Sequence, residues 1–237
     1  DLAVSGLLIG GLYALIAVGL NLQYGLMRVL NVAHGEFLMI GGYITYTLHV
    51  TFGVSPLLSM LVSATLAFAL GVGAHTLLFR RLLRLDRTRE ELEANSLLLS
   101  FGLLFVLQNA VLLIWSADLR GYQYLDRPLR WLGTAFPANR VVAFSVAAAL
   151  TIILLAFLKW TLAGTVVRAL MQDPLGARLM GVRISRVHAL CFGLGVGLAA
   201  AAGSLISMLF ELTPFIGLPY TITALVVIIL GGLGSVT

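Results

Sequence analysis

The chain has 237 residues, 60% of them hydrophobic and only 11% charged, with a mean hydropathy of +1.03 and a formal net charge of +5. Soluble domains carry about 25% charged residues, so this composition excludes one and implies a polytopic membrane protein. The single Cys191 lies in an apolar run, excludes an internal disulfide and reads as a packing residue.

Crossing the hydrocarbon takes about 20 mostly apolar residues as a helix, because only helices and closed barrels satisfy their own backbone there. On this basis spans are predicted at Leu2 to Tyr24, Glu36 to Phe52, Pro56 to Phe79, Ser96 to Trp115, Val141 to Trp160, His188 to Leu209 and Pro219 to Leu233, the last cut short or re-entrant. The expected fold class is all-α: a polytopic transmembrane helical bundle with broken or re-entrant segments and a short cytoplasmic helix. The chain opens on Asp1 and an apolar run stops at Thr237, so a single transmembrane domain over 1–237, trimmed at both ends, is the expectation. Leu2 to Leu22 is too long for a signal-peptide core and has no basic region before it.

Between Tyr24 and Gly42, Asn31, His34 and Glu36 interrupt an otherwise apolar sequence. Such groups cost several kcal/mol in lipid unless paired or wetted. One interpretation is a broken helix lining a polar pathway, with Gly35 freeing the backbone at the break. The other is an interfacial turn in which Glu36 caps the next helix. Both stand at this point. Tyr13, Asn21 and Gln23 on the first span, and Gln108 with Asn109 on the fourth, read first as interhelical hydrogen-bonding groups. Glycines cluster within spans, and the run Gly193 to Ser204 with Ala199 to Ala202 predicts a helix buried among other helices.

The loops Arg80 to Asn95 and Lys159 to Val187 hold ten of the 15 basic residues and fall on one side by span counting. The opposite side carries Arg120, Arg127, Arg130 and Arg140, so the positive-inside rule places the two basic loops in the cytoplasm and the N-terminus outside. Anionic lipid accounts for the net charge without nucleic acid. Within the second loop, Asp173 is a good N-cap, Pro174 suits the first helical position and Gly181 the left-handed C′ position. They bracket about two turns. Leu175 and Leu179 share a face with Met180, whereas Arg178 points elsewhere. So short a helix is unstable alone and must dock on something. No Walker lysine or strand-turn-helix context accompanies the glycines, so an ATP-driven process would need its ATPase on another chain. His34 and Glu36 are the only close His and Glu, without HExxH or a Cys pair, which argues against a metal site.

The stretch GGLYALIAVGLNLQYGLMRVLNVAHGEFLMIGGY, Gly10 to Tyr43, closely resembles the N-terminal signature of the permeases of branched-chain amino acid ABC importers. RALMQDPLGARLMGVRISRVHALCFGLGVGLAAAAGSL, Arg168 to Leu205, is similar to their coupling loop and following helix, and ALVVIILGGLGSV, Ala224 to Val236, to their glycine-rich late segment. The three matches cover about half the chain, and the family usually has an aromatic where this chain has Val32. The resemblance implies a bacterial cytoplasmic (inner) membrane assembly of two permease subunits, identical or related, two cytoplasmic ATPases and an external or periplasmic solute-binding protein. It implies no cofactor on this chain, with ATP and Mg on the partner ATPase. It assigns ATPase coupling to Asp173, Pro174, Ala177, Arg178 and Gly181, to which the helix reading adds the apolar pair Leu175 and Leu179; Asn31, His34 and Glu36 match the early motif and are translocation-path candidates. Similar permeases serve urea and short amides. A secondary transporter or channel would also place polar residues in broken helices. An intramembrane enzyme would have only His34 and Glu36 as a catalytic pair.

Overall fold

A computed structural model describes residues 2–85, 88–125, 128–131 and 134–232. Arg87 and Arg127 of the charge pattern, and the end of the glycine-rich segment at 233–237, lie outside the described residues. The helices are α1 Leu2–Met27, α2 His34–Phe52, α3 Pro56–Ala74, α4 Arg80–Leu85, α5 Arg89–Trp115, α6 Ala138–Trp160, α7 Leu162–Gln172, α8 Pro174–Leu179, α9 Ile184–Ile206 and α10 Gly217–Gly231. A π-helical turn, His75–Phe79, joins α3 to α4. An antiparallel ribbon of β1 Pro128–Trp131 and β2 Thr134–Pro137, paired Pro128 to Pro137 through Trp131 to Thr134, is a small exception to an otherwise helical fold.

Among the described residues, five helical stretches are long and apolar enough to span a membrane: Val4–Met27, Pro56–Leu83, Glu90–Trp115, Ala138–Trp160 and Ile184–Ile206. Helix α10 is apolar but shorter. Helix α2, a predicted span, forms as a helix but is not among the five. The charged stretch 80–95, predicted as a loop, is largely helical. The cause is a capping box: the Thr88 Oγ1 accepts from Glu91 N at 3.2 Å, and Thr88 N donates to Glu91 Oε2 at 3.2 Å. The Thr-x-x-Glu signature was there to be read. The basic loop 159–187 likewise contains α7, one face of which buries Gly164, Val167 and Leu170.

Helix α9 is the axis of the bundle. Its residues from Cys191 to Ile206 are buried except for Leu194 and Leu198, which are half-buried, and it packs on α1, α2 and α3. In lipid, helices gain nothing from simply hiding apolar surface, so close packing and hydrogen bonds must hold them. Both are present. Gly19 and Gly195 face each other so closely that a Cβ on Gly195 would lie 2.5 Å from the Gly19 carbonyl oxygen, and a Cβ on Gly203 would overlap the Leu38 carbonyl. Thr45 Oγ1 of α2 donates to Ser204 Oγ of α9 at 2.7 Å, and Ser204 Oγ meets Ser63 Oγ of α3 at 2.7 Å.

Packing also sorts the two ends of the bundle. Leu83 and Leu92 share one apolar cluster with Val167, Leu170 and Ala177, which brings both basic segments to the same end, as span counting required. At the opposite end Arg120 and Leu212 exchange two backbone hydrogen bonds of 3.1 and 2.7 Å, and Tyr122 Oη meets Ser207 Oγ at 2.9 Å. Burial pushes the Tyr122 phenol up to about 12, so it remains neutral in that contact.

Candidate functional site

The polar stretch after α1 is a true break inside the protein. Met27 ends the helix, Arg28 takes φ +55°, unusual for a residue with a Cβ, and 28–33 run back alongside α1. Val29, Asn31, Val32 and Ala33 are all buried. Their backbone is satisfied by two serines of α5: Ser96 Oγ accepts from Leu30 N at 3.1 Å, while Ser100 Oγ accepts from Val32 N and donates to Leu30 O, each at 3.1 Å. Ser96 and Ser100 lie roughly 10 and 16 Å along α5 from its first residue at 1.5 Å rise per residue. The segment therefore lies well within the span, where irregular backbone survives only if protein partners replace the missing ladder.

Helix α2 begins at that depth. The His34 ring lies against Gly19, where a Cβ would come within 3.5 Å of its Nε2, about 12 Å up α1 from Met27 at helical rise. His34 faces the Ile16 carbonyl without completing a hydrogen bond. Asn31 Nδ2 donates to Gln23 Oε1 at 3.0 Å, and Gln23 Nε2 donates to the Phe192 carbonyl of α9 at 3.1 Å, which bears out the interhelical role of Gln23. Asn109, by contrast, is exposed and donates to Phe105 O of its own helix at 2.8 Å.

Asn31, His34 and Glu36 are all buried to within 1% of full occlusion, yet the structure does not join them into one cluster. Asn31 and His34 meet α1. Glu36 is two residues on from His34, about 200° around the helix, and meets α10 instead: a Cβ on Gly217 would lie 2.5 Å from Glu36 Oε1. This separation removes the His34 and Glu36 pair as a concerted acid and base. The capping role for Glu36 also fails, because α2 has no side-chain cap and neither Glu36 oxygen has a hydrogen-bond partner among the described residues. The first N–H groups of α2 are taken elsewhere: His34 N by Asn31 O at 3.3 Å, Gly35 N by Thr221 Oγ1 at 2.8 Å and Glu36 N by Ala33 O at 3.0 Å.

The capped helix α8 stands at the basic end. Asp173 Oδ1 accepts from Leu175 N and Gly176 N, both at 3.0 Å, and Pro174 occupies the first position. At the other end Gly181 takes φ +82°, with Gly181 N donating to Arg178 O at 3.0 Å and Val182 N to Ala177 O at 3.1 Å, the paired bonds of a Schellman motif. Ala177 is its one buried residue. Leu175, Leu179 and Met180 are 67, 79 and 86% exposed, and Arg178 is exposed beside them. The geometry thus offers a doubly capped apolar knob outside the span region. Arg168 Nη1 donates to the Leu158 carbonyl, tying α7 back to the end of α6.

Sequence reasoning missed Ser96 and Ser100, which support the break, and the Thr45, Ser63 and Ser204 hydroxyl cluster. Serine and threonine are too common in spans to stand out without their partners. His75 and His188 meet at the π turn with ring centroids 6.1 Å apart, and His75 lies 5.9 Å from the Phe192 ring.

The comparisons with known proteins agree with this architecture. A family described as the branched-chain amino acid transport system permease component matches residues 2–237. The high-affinity branched-chain amino acid transport system permease protein BraD of Pseudomonas aeruginosa is 30% identical over 98% of this chain and 79% of its own length. The corresponding LivH protein of Escherichia coli strain K12 is 28% identical over 98% of this chain and 78% of its own. A probable LivH of Methanocaldococcus jannaschii is 27% identical over 95% and 72%. No solved structure matches significantly. With the family match running from Leu2 to the last residue, the chain belongs to the permease components of branched-chain amino acid transport systems.

Proposed function

We propose that this chain is the membrane subunit of an ATP-driven importer for branched-chain or related amino acids, in the cytoplasmic (inner) membrane. It works with a second permease, two ATPases that bind ATP and Mg, and an external or periplasmic solute-binding protein. The observation that carries this reading is α8, a doubly capped helix whose leucines face outward at the basic end. Docked in a groove of an ATPase, Leu175, Leu179 and Met180 would be buried and Arg178 would set the register. Asp173, Pro174 and Gly181 hold the helix in shape, and Ala177 connects it to the cluster containing Phe79 and Phe192. Nucleotide-driven movement of the ATPases then shifts α8 against the bundle and biases two arrangements of the pathway. Asn31, His34 and Glu36, at the depth where α1 gives way to α2, are its translocation-path residues.

The test is uptake of labelled leucine and of urea by vesicles holding the complete complex, with and without ATP. ATP-dependent leucine uptake is expected; uptake of urea alone, or gradient-driven uptake by the isolated chain, defeats the proposal. The double variant Leu175→Asp, Leu179→Asp should leave the permease as stable as before, since both side chains are exposed, and should abolish ATPase co-purification. Normal co-purification with normal solute-stimulated ATP hydrolysis would remove α8 from the coupling role.

A further inference from the structure

The first turn of α2, at the break after α1, touches the first turn of the short helix α10. Their backbones are in contact: a Cβ on Gly35 would overlap the Gly217 carbonyl, and Thr221 Oγ1 both accepts from Gly35 N at 2.8 Å and donates to Gly217 O at 3.3 Å. Glu36 is enclosed at this junction. It is fully buried, neither carboxyl oxygen has a hydrogen-bond partner, and no cationic side chain among the described residues lies beside it. Carboxylates are almost never buried so without a charge or donor to answer them. The usual structural uses are already closed, because Glu36 caps nothing and lies across α2 from His34.

The surrounding donors decide what kind of group could answer it. Helix N-termini at breaks in transporters commonly receive an anionic group of the solute. Here the N–H groups of residues 34, 35 and 36 are all engaged within the protein, and the start of α10 already has the Glu36 carboxylate against it. An anion at the junction would meet the Glu36 carboxyl itself, whose two unpartnered oxygens are acceptors that suit a cation. We propose that Glu36 is the subsite for the primary ammonium group of the transported amino acid, exposed when the α10 turn at Gly217 draws away from Gly35. This rests on the importer reading and adds the part of the solute that the membrane subunit recognises. Glycine at 217 is then required by the carboxylate as much as by the backbone, since a Cβ there would lie 2.5 Å from Glu36 Oε1.

The experiment uses the complete complex, reconstituted in vesicles. Uptake and ATP hydrolysis are measured with labelled leucine, and retention of leucine by the solubilised complex is competed with leucinamide, which keeps the ammonium but lacks the carboxylate, and with the branched 2-oxo acid, which lacks the ammonium. In the wild type leucinamide should compete and the 2-oxo acid should not. Glu36→Gln keeps shape but removes the charge, so leucine uptake should fall by about tenfold to a hundredfold, the loss of one charge-assisted hydrogen-bonded pair. Co-purification of the ATPases with Glu36→Gln shows that the complex has assembled. Wild-type uptake in Glu36→Gln, or equal competition by the 2-oxo acid, overturns the proposal. Should Glu36→Gln not assemble, Glu36→Asp decides: it should keep the preference for leucinamide over the 2-oxo acid, and loss of that preference with leucine still retained refutes the assignment. A wild-type complex that moves no leucine would count against the importer reading itself, a different result from transport that ignores Glu36.

Discussion

Replacing Asp173 by alanine tests whether α8 is held by its caps or by the bundle. The substitution removes the acceptor for Leu175 N and Gly176 N, both bonded at 3.0 Å, and leaves those donors to water because the site is exposed. Loss of an N-cap of this type costs about 0.5–2 kcal/mol. Because Ala177 is the only buried residue of α8, little else opposes its opening. That free energy should appear almost entirely as local opening, which raises amide exchange by roughly 2- to 30-fold at the amides closed by the helix. Those amides are Ala177, Met180, Gly181 and Val182, bonded to the carbonyls of Asp173, Gly176, Arg178 and Ala177. Hydrogen exchange read by mass spectrometry on the peptide 174–183 of the purified membrane protein measures this directly. The thermal midpoint of the bundle should not move. Asp173→Asn, an equally good cap, should exchange at the wild-type rate. Unchanged exchange in Asp173→Ala would show that tertiary contacts hold α8, and the argument that the sequence builds a self-capped docking element would be wrong.

Two further perturbations probe the bundle. Gly203→Ala puts a methyl into the Leu38 carbonyl and should destabilise by about 1–3 kcal/mol, the range for overpacking a tight core. A thermal midpoint in detergent equal to that of the wild type would contradict the close approach of α2 and α9. Ser100→Ala orphans both Val32 N and Leu30 O, whereas Ser96→Ala orphans Leu30 N alone. At about 1–3 kcal/mol per buried orphan, Ser100→Ala should be the more destabilising of the two in thermal unfolding. The reverse order would mean that α5 does not support the break as described.

Much of the candidate site was legible because its signals are local. Asp173, Pro174 and Gly181 announce α8 through chemistry that acts within one turn, and the structure places each in the expected role. The same local chemistry at Thr88 and Glu91 shows where attention to charge alone misread a helix start as loop. Asn31, His34 and Glu36 were visible as polar residues in an apolar run. The groups that hold this stretch were not, since Gln23 is 8 positions from Asn31, and Ser96 and Ser100 are 66 and 68 positions from Leu30 and Val32.

By itself the sequence determined that this chain crosses a membrane repeatedly, five of its seven predicted spans, which segments share a basic end, and that a short capped helix projects there. Composition, span length, charge bias and capping are properties of residues and their near neighbours. Only the tertiary structure decided that the polar break lies deep in the bundle, which helices surround the glycine-rich α9, and that His34 and Glu36 face different helices. Those outcomes depend on which backbones can approach one another, at Gly19 and Gly195, Gly203 and Leu38, Gly35 and Gly217, and close approach between distant segments leaves no periodic trace in the chain that makes it.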